Sequence, residues 1–302
     1  MAGRMVHVVE KAPDGAPGGA RRLIVNADDY GLSPGVVQGV LAAHREGIVT
    51  STTTMINMPW AEEGIAAAPP SLALGLHLNL TTGPPSADPA RVPSLVGADG
   101  RFPRLDRLVL RLSLGQVRVG DLEREIAAQL ERALRAGAAL DHLDGHHHIH
   151  LHPRVLPVVL RLAAAYGVPA VRCPDETVPP WGGEPLRDRL RRLAIGAAAR
   201  RLRRRVRATG LTTSDHFRGL GLGLAFDAPV LVATLAALPP GLTELMCHPG
   251  YPDAELAERT SYAAGREREL AALTAPATRA ALAAHGVVLT SYGEAAGARA
   301  SA

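Results

Sequence analysis

Between residues 22 and 292, short apolar or β-branched runs alternate with segments of helical periodicity, and this alternation restricts the fold more than any other feature. Residues 22–27, 48–56, 72–80, 138–143, 169–174, 212–217, 243–248 and 287–292 read as strands. A helix opens at Ser33-Pro34, with proline at a first helical position, and closes at Gly47. Others are expected over 61–68, from Asp121 as N-cap to Gly137, from Pro153, over the arginine-rich residues 187–207, and over 228–238 and 267–284. About eight strands, each followed by enough chain for a crossover, predict an α/β fold. The best fit is a distorted (β/α) barrel, TIM-barrel-like, with parallel strands and outer helices.

Composition sets the remaining bounds. The chain has 302 residues, 47% of them apolar, and a mean hydropathy of +0.06. No apolar stretch is long enough to span a bilayer, and residues 1–20 lack the apolar core of a secretory signal. The expectation is therefore a cytoplasmic protein with a disordered leader over 1–20, one barrel domain over 21–295 and a tail over 296–302. Cys173 and Cys247 fit no CxxC spacing, so any metal would be held by nitrogen and oxygen. Ten arginines fall in residues 187–207. Leu186, Leu190, Leu193, Ile195 and Leu202 recur there at helical spacing, which favours a solvated amphipathic helix. Interleaved aromatics are missing, so no nucleic-acid partner is expected.

The densest chemistry lies at 141–152, where six of the twelve histidines join Asp141 and Asp144. Imidazole and carboxylate are ligands for divalent cations, and this run is mid-chain, unlike a tag. Asp28 and Asp29, His77, Asp144 and His146, and His248 all fall at or just past predicted strand ends. In a parallel barrel those ends share one face. Asn79 shares a strand face with His77. If 146–150 were extended, His146, His148 and His150 would face one side at about 6.6 Å per pair, too far apart to bind one ion together. His148 and His150 are then expected to contact substrate or support the site, and Asp144 to orient an imidazole. Arg172 is placed either to orient Asp28 or to form an ordinary surface ion pair, and Asp215 and His216 to line a substrate groove.

The stretches 26–35 (NADDYGLSPG), 75–80 (GLHLNL), 142–150 (HLDGHHHIH), 214–217 (SDHF) and 244–252 (ELMCHPGYP) together resemble the YdjC-like carbohydrate deacetylases. The resemblance covers roughly residues 22–292 in the same motif order. It implies metal-dependent hydrolysis of an N-acetyl group from an amino sugar such as a chitooligosaccharide or a related N-acetylglucosamine conjugate. It also implies that Asp29, His77 and His146 bind one divalent cation, Mg2+ or Zn2+ foremost, with Mn2+, Fe2+ or Co2+ as alternatives. Asp28 would be the general base that takes a proton from the attacking water. His248 would protonate the leaving amine or stabilise the oxyanion. A homodimer is plausible on the same resemblance.

Two other readings stay open from the residues. A metal-dependent phosphoesterase or sugar isomerase could use a similar barrel, although the only lysine, Lys11, lies in the expected leader. A non-catalytic metal-binding protein could use the histidine run alone.

Overall fold

The computed structural model describes residues 19–176, 186–260 and 262–300. The expected leader, but for residues 19 and 20, lies outside the described residues. Seven parallel strands are present among these residues, β1 (Arg21–Tyr30), β2 (Ser51–Thr54), β3 (Ala73–Leu78), β4 (Leu140–Gly145), β5 (His216–Arg218), β6 (Gly241–Cys247) and β7 (Val287–Leu289). They form one sheet in the order β4-β3-β2-β1-β6-β5, with β7 also on β1. The sheet curls into a half-barrel with helices outside. Isolated bridges, Leu143 to Val171 and Ala170 to Thr212, continue the curl between β4 and β5. The distortion has a visible origin. β7 pairs with residues 21–23 of β1, whereas β2 pairs only from Asn26 onward.

The helices are α1 (Pro34–Arg45), α2 (Ala61–Ala67), α3 (Leu105–Ser113), α4 (Val119–Arg135), α5 (Leu156–Ala165), α6 (Leu186–Ala208), α7 (Ala228–Ala236), α8 (Ala254–Arg259), α9 (Ala263–Thr274), α10 (Pro276–Ala284) and α11 (Tyr292–Ala300). One apolar layer joins β3 and β4 to α3, α4 and α5 through Leu76, Leu122, Ile126 and Val159. A second joins β1 to α1, α7, α9 and α10 through Leu23, Val25, Val40, Leu231, Leu270 and Leu282. Each such fully buried side chain contributes about 1.5–3 kcal/mol relative to exposure. Ser33 caps α1 as its position before Pro34 predicts, its hydroxyl accepting from the Val36 N–H.

Several boundaries differ from expectation for physical reasons. Asp121 is not the N-cap of α4, because Arg118 occupies that position. Asp121 lies in the first turn and accepts from the Ser94 amide and hydroxyl at 2.9 and 2.7 Å, fastening the long loop after β3. Residues 267–284 are two helices, because Pro276 has no N–H and drives Ala275 to an extended ψ of 136°. Residues 169–174, bounded by two prolines, make single bridges rather than a strand. Helix α5 starts at Leu156, after a turn that contains Pro153. Helix α11 continues to Ala300, through most of the segment expected to be a tail.

In α6 the leucines expected on the packed face, Leu186, Leu190 and Leu193, are exposed, and Ala199 and Val206 are buried instead. The side chain of Leu202 lies outside the described ones. Arg200 and Arg203 pair with Asp175, and Arg207 with Asp215. No helix among the described residues is long and apolar enough to cross a membrane.

Candidate functional site

The site is built on an irregularity at the end of β1. The pairing of β1 with β2 steps from Ala27–Thr52 to Tyr30–Thr54, so β1 carries one extra residue there. Asp29 absorbs it with a left-handed φ of 66°. Aspartate tolerates this conformation better than most residues, yet it still costs about 1–3 kcal/mol. Two adjacent carboxylates, whose side chains would point to opposite faces of a regular strand, thereby reach one pocket. The backbone turns at Asp29 and again at Gly31, whose φ is 92°.

Asp29 Oδ1 lies 3.3 Å from His77 Nε2 and 2.9 Å from His146 Nδ1. It is buried yet takes part in no hydrogen bond. The donor atoms of Asp29, His77 and His146 all fall within 4.8 Å of one another. His77 Nδ1 is engaged by Asp144 Oδ1 at 2.7 Å, which turns Nε2 toward Asp29. A second grouping, Asp28, His77 and Asp144, is equally compact. A cation is disfavoured there by the positive charge of Arg172, which binds both oxygens of Asp28 and one of Asp144. The set Asp29, His77 and His146 therefore fits a divalent cation with two imidazoles, one carboxylate and open positions. Burial would lower the His77 pKa, but Asp144 and Asp28 outweigh it and raise it to about 10, a sign of how strongly the pocket favours positive charge.

Arg172 is wholly buried. Its guanidinium grips Asp28 at 2.6 Å through both Nη atoms, reaches Asp144 at 2.7 Å and directs Nε to Glu244 at 2.7 Å. The Tyr292 hydroxyl donates to the other oxygen of Glu244. Burial alone would raise the Asp28 pKa, but the Arg172 charge and hydrogen bonds hold it well below the ordinary carboxylate value. An ordinary surface ion pair is thus not what joins Arg172 to Asp28.

His248 follows β6. Its backbone N–H donates to Glu269 Oε2 at 2.5 Å, and its Nδ1 lies 3.7 Å from Glu269 Oε1. Burial would lower its pKa, but Glu269, Asp28 and Asp29 raise it. Arg266 Nη2 lies 2.5 Å from Asp29 Oδ2. Sequence reasoning passes over Arg266 and Glu269, since a helical pattern does not say which polar residues turn inward. Their i,i+3 spacing with opposite charge is the only available signal.

Residues 146–150 are not extended. His147 and His148 both have left-handed φ values, 56° and 58°, so the run folds into a tight turn that sends its imidazoles apart. His146 faces Asp29, and His147 Nδ1 lies 3.3 Å from the Thr81 hydroxyl. His148 sits edge-on to Phe217 at 6.4 Å between centroids. His150 is buried with Nε2 on the Arg172 carbonyl, and its pKa falls to about 4 through burial. It thereby supports the Arg172 segment.

Asn79, just past β3, is also buried. Its oxygen accepts from the Thr81 and Thr82 amides, and its NH2 donates to Asn57 and to the Thr82 carbonyl. That residue holds a loop and has no polar atom left for substrate. Asp215 and His216 lie away from this cluster. Asp215 bonds the Leu242 backbone and His216 the Pro240 carbonyl, at the amino-terminal end of β6. Leu242 pairs with Arg22, six residues before Asp28 and about 20 Å away along the strand.

Comparison with known proteins places the chain in a family. The profile of the YdjC-like protein family matches residues 22–284. A carbohydrate deacetylase of Geobacillus stearothermophilus is 39% identical over 277 residues, covering 91% of this chain and 98% of the relative. Another, from Brevibacillus brevis, is 40% identical over 259 residues, covering 84% and 91%. A crystal structure from Enterococcus faecalis V583, described provisionally as a cellobiose-phosphate cleavage protein, superposes with a TM-score of 0.74 at 27% identity. That alignment covers 90% of this chain and 98% of the other. On the family profile and on relatives matched along nearly their whole length, the chain belongs to the YdjC-like protein family.

Proposed function

We propose that this protein is a carbohydrate deacetylase that hydrolyses the N-acetyl group of an amino sugar in a reaction dependent on one divalent cation. The observation that carries the reading is the buried, unbonded Asp29 Oδ1 between His77 Nε2 and His146 Nδ1, beside an ionised Asp28. When bound there, a divalent cation polarises the acetyl carbonyl and makes water a stronger acid.

The chain's own groups supply the rest. Asp28, kept ionised by Arg172, is the acceptor for the proton that water releases as its oxygen bonds to the acetyl carbon. Asp144 fixes the His77 ring so that Nε2 points inward. His248, raised in pKa by Glu269, donates a proton to the nitrogen as the C–N bond breaks, and acetate and the free amine leave. Chitooligosaccharides and related N-acetylglucosamine conjugates are the substrate class implied by the motif resemblance.

A phosphoesterase with a two-cation centre is the less favoured reading, because the buried Arg172 guanidinium, bound to Asp28 and Asp144, already places a positive charge where a second cation would sit. The test is an acetate-release screen of N-acetylated sugars with metal-stripped protein, supplemented singly with Mg2+, Zn2+, Mn2+ or Co2+. Cation-dependent acetate release supports the reading. Release of phosphate from sugar phosphates, with none of acetate, overturns it.

A further inference from the structure

Helix α9 buries two charged residues one turn apart, Arg266 at 3% and Glu269 at 2% exposure. A helix on the outside of a sheet ordinarily turns apolar residues inward, and a buried charge is strongly destabilising without a partner. Among the described residues these two do not pair with each other. Each is directed to a different part of the site. Arg266 binds Asp29 Oδ2 at 2.5 Å, and its Nε and Nη1 have no hydrogen-bond partner, so Asp29 is what compensates its charge. Glu269 accepts the His248 amide at 2.5 Å and the Tyr262 hydroxyl at 2.8 Å. The Arg266 carbonyl accepts from the Gly250 amide at 3.3 Å, in the turn that follows His248.

We propose that α9 is a positioning element for both halves of the site, with Arg266 orienting Asp29 for cation binding and Glu269 holding the His248 loop. This rests on the metal-dependent reading above. A carboxylate free at both oxygens can rotate, bind two-pronged or turn to other donors. With Oδ2 held by Arg266, only Oδ1 faces His77 and His146, which suits a single-oxygen ligand. Partners of this kind, one step out from a metal ligand, are worth about 10–100-fold in metal affinity.

The experiment is calorimetric titration of Zn2+ into the metal-stripped full chain, comparing wild type, Arg266→Met, Arg266→Lys and Glu269→Gln, each shown folded by near-ultraviolet circular dichroism. Arg266→Met is expected to weaken zinc binding about 10–100-fold, Arg266→Lys to recover part of that loss, and Glu269→Gln to bind zinc as the wild type does. Zinc binding by Arg266→Met at wild-type affinity or tighter overturns the proposal. So does an equal loss in Arg266→Met and Glu269→Gln, which would mark α9 as a general structural support. A wild type that binds no divalent cation overturns the metal-dependent reading itself, a result separable from the other two.

Discussion

Asp28 and Asp29 are neighbours in sequence, yet each is bound by a different arginine from a distant part of the chain. Arg172 closes both oxygens of Asp28 at 2.6 Å, whereas Arg266 takes one oxygen of Asp29 and leaves the other facing two imidazoles. The two carboxylates thus have distinct environments, and environment is what divides chemical roles between like groups.

Arg172 compensates three buried carboxylates, Asp28, Asp144 and Glu244. Arg172→Met leaves them uncompensated, and loss of one partner of a buried pair costs about 3–5 kcal/mol. Urea denaturation is expected to show at least that loss. A change under about 1 kcal/mol would mean that water reaches these groups.

His142 is fully buried, lies 2.6 Å from Asp141 through Nδ1 and stacks on Tyr292 at 4.4 Å. Burial would lower its pKa, but Asp141 outweighs this and raises it. A group whose pKa is raised on folding contributes stability below its unfolded value, about 6.5, and loses it as pH climbs through the folded value. The stability gap between wild type and His142→Gln is therefore largest below about pH 6.5 and narrows above it. A gap that is constant with pH contradicts the assignment.

Helix α1 meets the turn after His248 at two glycines, where a Cβ on Gly39 would lie 2.4 Å from the Gly250 Cα. Gly39→Ala gains about 0.5–1 kcal/mol of helix propensity, but overpacking costs about 1–3 kcal/mol. Net destabilisation by chemical denaturation is expected, together with reduced acetate release as the His248 turn shifts. A stabilised, fully active variant would show that the turn yields freely.

The proposed cation site draws on two parts of the chain outside the histidine run. Asp29→Ala and His77→Ala are each expected to abolish stoichiometric cation binding. His147→Ala, which removes an exposed ring outside the donor set, keeps it. Mass spectrometry of the native protein reads the difference. Binding that survives loss of both Asp29 and His77 would restore the histidine run as a metal tract in its own right.

What sequence revealed and what it hid follow from the range of each signal. Strand runs, Ser33-Pro34 and Gly47 are local, and they placed Asp28, Asp29, His77, Asp144 and His146 at strand ends that do meet. Turn geometry at His147 and His148 was hidden, because non-glycine residues give little warning of a left-handed φ. Asp215 and His216 lie at the other end of the sheet from Asp28, and a short motif does not say which end of a strand it occupies. Asn79 matched the site's strand face by alternation, but β3 ends one residue earlier, at Leu78, and the side chain turns to the loop. Arg266 and Glu269 act across more than 200 and about 20 residues respectively, and only the docking of α9 on α1, α7 and α10, which brings them to Asp29 and His248, reveals them.

The most direct test of the central claim is to measure cation content and acetate release together in wild type and Asp28→Asn. The account predicts one bound cation per chain in both proteins and a loss of about 10²–10⁴-fold in acetate release for the variant. Acetate release at the wild-type rate from Asp28→Asn would contradict it, because the proton that water must lose would then have another acceptor.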